Sequence, residues 1–251
     1  MLHNNKPLVI NSKYIIFLTM LYMTVSLAAD VVAFKFGYFF GLVESGATII
    51  FPFTYILGDV MCEVYGWKLT IKIVWLALIC EVIFSVLITL VIYMPSYGIG
   101  DYQDQYVNTL GKIWFFVLAG VVSNSIAGFI NIYCMSKWKI LMQGKYFWMR
   151  SILSTCISEF ILILITILIA FLPFIKLDMT IKVFIDAYFL EIIYAFIFAF
   201  PANLLVNFLR KKEGIDAYDY GVSYNPFNLF ENGEIDDNRN SRGNEGRSSI
   251  N

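Results

Sequence analysis

Two carboxylates, Asp59 and Glu63, stand four residues apart in an otherwise apolar stretch of the chain. On an α-helix this spacing puts both on one face, and Pro52 and Gly66, each seven residues from Asp59, fall near the same line. A carboxylate at the centre of a membrane helix costs roughly 2.5–3.5 kcal/mol, and a proline beside it opens the backbone hydrogen-bond ladder. The stretch therefore predicts a binding site for a polar molecule inside a membrane.

Other polar side chains in apolar sequence extend this prediction. Glu159 and Glu191 lie deep in apolar segments, and such groups usually face the protein interior and mark a pathway. Tyr55, four residues before Asp59, shares the carboxylate face, and a buried tyrosine hydroxyl needs a partner. Asn131 fits either the site or a hydrogen bond between helices.

Three further acids have competing interpretations. Glu44 and Glu63 lie near predicted helix ends, where a carboxylate fits the membrane interface as well as it fits a site. Glu81 fits a structural role, with Ser85 one turn away or Lys72 as its partner.

The composition indicates an integral membrane protein. Of 251 residues, 59% are hydrophobic and only 15% are charged, which is too apolar for a soluble domain of this size. The only histidine, His3, lies in the polar N-terminus, and no phosphate-binding loop motif occurs. The four cysteines show no metal-binding spacing. We expect neither a cofactor nor a metal, and no basic cluster points to nucleic acid.

Six apolar segments are long enough to cross a bilayer, which takes about 20 helical residues. Their continuous hydropathy favours helices over the strands of a membrane barrel. The predicted fold is an all-α integral membrane protein: a cytoplasmic N-terminus over 1–13, a six-helix transmembrane domain over 14–210, and a polar, largely disordered cytoplasmic tail over 211–251. The segments cover about 14–36, 43–64, 69–94, 112–135, 151–175 and 183–209, with Pro201 interrupting the last.

The distribution of lysine and arginine predicts the orientation. With a cytoplasmic N-terminus, the inner side holds 14 of the 18 basic residues. This is the bias that the positive-inside rule describes, so we expect both termini in the cytoplasm.

Residues 51–66 match the pattern FPxxYxxxDxxxExYG and resemble the signature of the YhhQ/VUT family, the queuosine precursor transporters. Residues 150–155 resemble the family's R-x-x-x-S-T at the start of the fifth helix, and residues 211–219 resemble its tail. The resemblance covers about 14–220. It implies an inner-membrane importer of a 7-deazaguanine, such as queuine, preQ1 or preQ0, for queuosine in tRNA.

The chain departs from the family pattern at positions resembling the site. Asn131 stands where the family has aspartate, Glu159 replaces an amide, and Leu162 stands in place of an aspartate three residues later. Glu191 replaces a lysine. Because the site loses the positive charge of the lysine and gains Glu159 and Glu191, we expect a preference for a cationic 7-deazaguanine.

The resemblance and the residues together predict how the substrate binds. One carboxylate accepts the N1–H and exocyclic amine of the base, and an aromatic ring stacks on its face. The expected partners are this small molecule and the lipid bilayer, without direct nucleic acid, and a homodimer is left open. The candidate substrate-binding residues are Asp59, Glu63, Tyr55, Phe51, Asn131, Glu159 and Glu191, with no catalytic or metal-binding residue.

Three alternatives stay open at this point. The chain also fits a substrate-binding membrane subunit that works with separate ATPase and coupling subunits. An intramembrane enzyme using carboxylates as general acid and base lacks a nucleophile motif, so we expect no enzymatic activity. A membrane scaffold does not explain the number of acids in apolar sequence.

Overall fold

A computed structural model of the chain describes residues 13–33, 35–39, 41–95, 101–111, 113–171 and 177–227. This part contains six helical spans that are long and apolar enough to cross a membrane, which confirms the predicted fold class. The helices are α1 (Lys13–Val32), α2 (Gly46–Ile50), α3 (Pro52–Tyr65), α4 (Trp67–Ile92), α5 (Asp101–Leu110), α6 (Ile113–Leu141), α7 (Phe147–Thr166) and α8 (Leu177–Glu213), and the strands are β1 (Phe36–Phe39) and β2 (Leu42–Ser45).

The second membrane span consists of two helices. α2 and α3 meet at Phe51, and Pro52 occupies the first turn of α3, where a missing backbone N–H costs nothing. In contrast, Pro201 does not interrupt the last span, because α8 continues through it. A five-residue π-helical segment, Ile167–Phe171, follows α7, and such segments occur often near functional sites.

A β-hairpin lies between the first and second spans, where the sequence predicted only a connection. β1 and β2 pair antiparallel, with Gly37 opposite Glu44. At its end, the Ser45 hydroxyl donates to the Ala33 carbonyl over 2.8 Å and accepts from the Ala47 N–H over 3.2 Å. The hairpin is thereby tied to the end of α1 and the start of α2.

α3 is the central helix of the bundle. It contacts α1, α4, α6, α7 and α8, and 12 of its 14 residues are buried. The other spans expose large apolar side chains on their outer faces, such as Phe17, Leu87 and Phe200. Because those faces are suited to lipid and α3 is enclosed, polar groups on α3 are held inside the protein.

Both ends of the described chain lie at the same end of the bundle. The Tyr14 N–H at the start of α1 donates to Glu213 Oε1 at the end of α8 over 3.1 Å, and the Tyr65 hydroxyl donates to the other oxygen of Glu213. An even number of crossings produces this arrangement. Its assignment to the cytoplasm remains a prediction.

The chain stays packed beyond the predicted domain boundary at residue 210. Lys211 and Lys212 belong to α8, and the Ala217 N–H donates to the Val64 carbonyl over 3.1 Å. Asp219 is buried. The disorder predicted for the tail concerns mainly residues 228–251, which lie outside the described residues.

Candidate substrate site

Glu63, at the end of α3, lies in an ion-pair network that joins three helices. The Arg150 guanidinium donates to both of its carboxylate oxygens, over 2.8 and 2.9 Å. Arg210 of α8 donates to Glu63 Oε1 as well. Glu63 and Arg150 are at most 1% exposed. Because two guanidinium groups surround this buried carboxylate, its charge is compensated within the protein.

Lys139 of α6 connects this network to the segment after α8. Its ammonium donates to the Asp216 carboxylate and to the Ala217 carbonyl, each over 2.6 Å, and to the Glu63 carbonyl. Arg210 lies 2.9 Å from Asp216. The ion-pair network therefore consists of Glu63, Lys139, Arg150, Arg210 and Asp216, and it closes one end of the bundle.

Gly66 and Asp219 tighten the same end. Gly66 has a φ of +86°, and a Cβ there would lie 2.9 Å from Asp219 Oδ1, so this position requires glycine. The Asp219 carboxylate accepts from the Trp67 N–H over 2.9 Å and from the Ser136 hydroxyl over 2.6 Å. Three stretches that carry the family resemblance, at 63–66, 150–151 and 216–219, thus meet at one place.

Asp59, one turn before Glu63, is also fully paired. Asn131 Nδ2 donates to Asp59 Oδ1 over 2.6 Å, and the Ser151 hydroxyl donates to the other oxygen. Asp59 is completely buried. The structure therefore places Asp59, Glu63 and Asn131 in contacts between helices.

The other acids of the spans have a different environment. Glu159 of α7 is buried, and neither of its oxygens has a hydrogen-bond partner among the described residues. One oxygen of the buried Glu191 of α8 is equally unpartnered. The two carboxylates interact electrostatically, and Glu191 also interacts with Glu44 of the hairpin. We refer to Glu44, Glu159 and Glu191 as the acidic cluster.

Tyr55 of α3 completes this arrangement. Its hydroxyl is buried and lies near the Ser158 hydroxyl, but it forms no hydrogen bond of standard geometry with a described residue, and it interacts electrostatically with Glu159 and Glu191. Its ring packs against Phe51, with 5.8 Å between the ring centroids. A buried hydroxyl and buried carboxylates that bond to nothing in the protein are costly, and a polar ligand would relieve that cost.

A cavity of about 140 Å³ lies at the hairpin end of the bundle. Phe51 forms part of its wall, together with Glu44 and Asp30, and no described lining residue is basic. Both oxygens of Glu44 and one oxygen of Asp30 are buried without a hydrogen-bond partner in the described part of the chain. The hydroxyls of Thr166 and Ser123 bond to each other at another part of the wall, over 2.9 Å.

Glu44 lies on the hairpin, outside the membrane-spanning helices. The pKa of Glu44 is raised to about 7, mainly by burial and also by the charge of Asp186 on α8, against the lowering effect of the nearby Thr48 hydroxyl. Near neutral pH this carboxyl group therefore exists in both protonation states.

The structure thus divides the predicted site residues into two groups. Phe51 lines the cavity, whereas Tyr55, Glu159 and Glu191 are buried outside its lining and carry unpartnered polar atoms. Asp59, Glu63 and Asn131 bind other protein groups. Glu44 was not among the predicted site residues, because a carboxylate near a helix end fits the membrane interface as well as it fits a site.

The network's basic residues were also not selected as site residues. Arg150 was named as part of the family resemblance, and its position at the start of a predicted span is a further signal. A basic residue at the start of one predicted span and an acid at the end of another predict an ion pair once both ends face the same side. Among the described residues, no group of three histidine, cysteine or acidic side chains is placed to hold a metal ion.

Comparison with known proteins decides the family. A family model described as "Putative vitamin uptake transporter" matches residues 45–206, well over half of the chain. The chain belongs to this transporter family. No curated protein and no solved structure matches the chain significantly.

As a vitamin uptake transporter family member, the chain is a multi-pass membrane protein whose matched region runs from the end of the hairpin into α8. The region includes Tyr55, Glu159 and Glu191, and also Arg150. Arg210 and Asp216 of the ion-pair network lie beyond it.

Proposed function

We propose that this protein imports a 7-deazaguanine precursor of queuosine, such as queuine, preQ1 or preQ0, across the inner membrane. Membership of a transporter family supports transport rather than catalysis. The resemblance of residues 51–66 to the signature of queuosine precursor transporters supports the substrate class. The observation that carries the proposal is the buried group of Tyr55, Glu159 and Glu191, whose polar atoms lack protein partners.

These three residues offer the groups that a 7-deazaguanine requires. The base presents two adjacent donors, its N1–H and its exocyclic amine, and one carboxylate accepts both in charge-assisted hydrogen bonds. Glu159 has both oxygens available. The Tyr55 hydroxyl is available to donate to the carbonyl oxygen of the base. Asp59 is the weaker candidate for this role, because Asn131 and Ser151 occupy its oxygens.

The cavity and Phe51 offer the space and the apolar surface. Roughly 10–15 Å³ of cavity volume accommodates one water molecule. The cavity of about 140 Å³ therefore accommodates on the order of ten non-hydrogen atoms. That is the size of a bicyclic base. The Phe51 ring borders the cavity and also touches Tyr55. Stacking of a base on an aromatic ring contributes roughly 1–3 kcal/mol.

The ion-pair network supports a transport cycle in which only one side of the bundle is open at a time. It joins α3, α6, α7 and α8 at the end opposite the cavity. With the predicted orientation, the closed end faces the cytoplasm and the cavity faces outward. Substrate release then requires these ion pairs to separate, as happens at the closed side of alternating-access carriers.

Complementation tests the proposal. Cells that lack both their own precursor synthesis and their own transporter receive this gene, and each precursor is supplied separately. We expect queuosine to return to tRNA, and to be reduced about tenfold or more by Glu159→Gln. Asp178→Asn, an exposed acid-to-amide change on α8, is the matched control. Failure of every precursor with a normally expressed protein would reject the proposal.

A second candidate follows from the wording of the family description, which specifies vitamin uptake. The chain would then be the substrate-binding membrane subunit of an uptake system with a separate ATPase. Liposomes that contain only the purified chain distinguish the two. Uptake without any partner supports the autonomous importer, whereas uptake only after addition of an ATPase subunit supports the second candidate.

A further inference from the structure

Glu44 is a buried carboxylate without a counter-ion. It is 3% exposed and lines the cavity, and its oxygens form no hydrogen bond of standard geometry with a described residue, although the Thr48 hydroxyl of the same wall lies near it. The charged groups around it are acidic: Asp30 of α1 lines the same cavity, and Asp186 and Glu191 of α8 interact with it electrostatically, as does the titratable Tyr194 of the same helix. The side chain of Lys35, at the base of the hairpin, is exposed.

Several carboxylates in one apolar enclosure cannot all be ionised. An isolated buried charge is so costly that such a group takes up a proton or a cation instead. The described side chains offer no metal-ion geometry of three acidic, histidine or cysteine groups. Hydroxyls of the cavity wall, those of Ser45 and Ser123, already donate to backbone carbonyls. A proton therefore fits the site better than a metal cation.

We propose that Glu44 and Glu191 bind the proton that drives import, so that each substrate molecule enters together with one proton. This proposal rests on the proposed function and adds its energy source. The proton comes from the solution at the cavity end, and it is released on the other side. Only O–H bonds of carboxyl groups form and break, and no electron is transferred.

The position of Glu44 on the hairpin links its protonation to a conformational change. Glu44 lies on β2, which packs against α8. When Glu44 is ionised, the acids Asp186 and Glu191 on α8 repel it. When Glu44 is protonated, this repulsion disappears and the hairpin packs closely on α8. A charge change at one side chain thereby biases the contact between two elements.

The protonation itself can be measured without substrate. In the purified full-length protein, infrared spectroscopy detects the carbonyl band of a protonated carboxyl group. We expect a band that decreases as the pH rises through about 7, that is absent from Glu44→Gln, and that persists in the control Asp178→Asn. If no band differs between wild type and Glu44→Gln at any pH, the proposal is overturned.

Coupling is measured in liposomes that contain the purified full-length protein, with the membrane potential held at zero and preQ0, the neutral cyano base, as the probe. An inward proton gradient of about one pH unit should support about tenfold accumulation in the wild type. Glu44→Gln should lose this accumulation and retain exchange of internal for external substrate.

The possible results separate this inference from the proposed function. Accumulation driven by a sodium gradient, or uptake that does not depend on the proton gradient, overturns proton coupling. The proposed import function is unaffected by either result. No uptake of preQ0, preQ1 or queuine by the wild type rejects the importer and with it the coupled cycle. The infrared titration still decides whether Glu44 binds a proton.

Discussion

Arg150 of α7 holds Glu63 of α3 through two parallel hydrogen bonds, of 2.8 and 2.9 Å, in a place where both side chains are almost completely buried. Two of the sequence features that resemble the transporter signature are therefore partners of each other. Their fixed geometry positions α3. This helix begins directly after Phe51 and carries Tyr55 about two turns before Glu63. We infer that these signature residues keep the site in position while other side chains bind the substrate.

Removing the Arg150 guanidinium should destabilise the protein strongly. Arg150→Gln removes two charge-assisted hydrogen bonds from the buried Glu63 carboxylate and leaves Arg210 and Lys139 as its cationic neighbours, and each such bond contributes about 1.5–3 kcal/mol. The thermal unfolding midpoint of the detergent-solubilised protein should fall by many degrees. Lys68→Gln, which changes an exposed basic residue, should leave it nearly unchanged. Equal midpoints for the two variants would show that the pair does not stabilise the bundle.

Asp59→Asn should affect stability more than substrate affinity. The Asn131 amide and the Ser151 hydroxyl both donate to Asp59, and an amide at position 59 presents a donor to one of them. We expect a loss of about 1–3 kcal/mol and an unchanged KM in the molecules that fold. A higher KM with normal stability would return Asp59 to the substrate site.

Tyr55→Phe should give the opposite result. The Tyr55 hydroxyl lies near the Ser158 hydroxyl but forms no hydrogen bond of standard geometry with a described residue, so its removal should change stability little. If the hydroxyl binds the substrate, the loss of a bond of about 1.5 kcal/mol raises KM about tenfold. Uptake kinetics and thermal unfolding on the same preparation measure both. An unchanged KM would remove Tyr55 from the site.

Glu44 should make stability depend on pH in a known direction. Its pKa is raised to about 7 in the folded protein, so the folded state binds this proton more tightly than the unfolded chain. Its contribution to stability is present at low pH and is lost as the pH rises from the ordinary carboxyl pKa through about 7. Glu44→Gln should therefore gain stability relative to the wild type as the pH rises across this range.

The matched control for that comparison is Asp104→Asn, because Asp104 lies on α5 and is exposed. Thermal unfolding midpoints of the three proteins are compared at several pH values. A difference between Glu44→Gln and wild type that is constant with pH would contradict the assignment.

The six spans were predictable from the sequence because their signal is local. A run of about 20 apolar residues has few other stable structures in a bilayer, and the predicted segment 69–94 coincides with α4 to within two residues at each end. The hairpin was not predictable in the same way. Phe36–Phe39 and Leu42–Ser45 are short and directly adjoin the apolar spans, so the predicted segments 14–36 and 43–64 included part of them.

The division of the acids into paired and unpaired groups needed the three-dimensional structure. Glu63 and Glu159 are both glutamates within apolar sequence. Only packing shows that Glu63 faces Arg150, 87 residues away, and that Glu159 faces Glu191 and Tyr55. Helical periodicity assigns a residue to a face of its own helix, but it does not assign which face of another helix lies opposite.

The most direct test is equilibrium binding of radiolabelled queuine to the purified protein, comparing the wild type with Glu159→Gln and with the exposed control Asp178→Asn. The site described at Tyr55, Glu159 and Glu191 predicts saturable binding to the wild type and to the control, and affinity at least about tenfold weaker in Glu159→Gln, since a charge-assisted bond contributes about 1.5–3 kcal/mol. Equal affinity in all three proteins would contradict this site, and no saturable binding of queuine, preQ1 or preQ0 to a folded wild-type protein would contradict the proposed function.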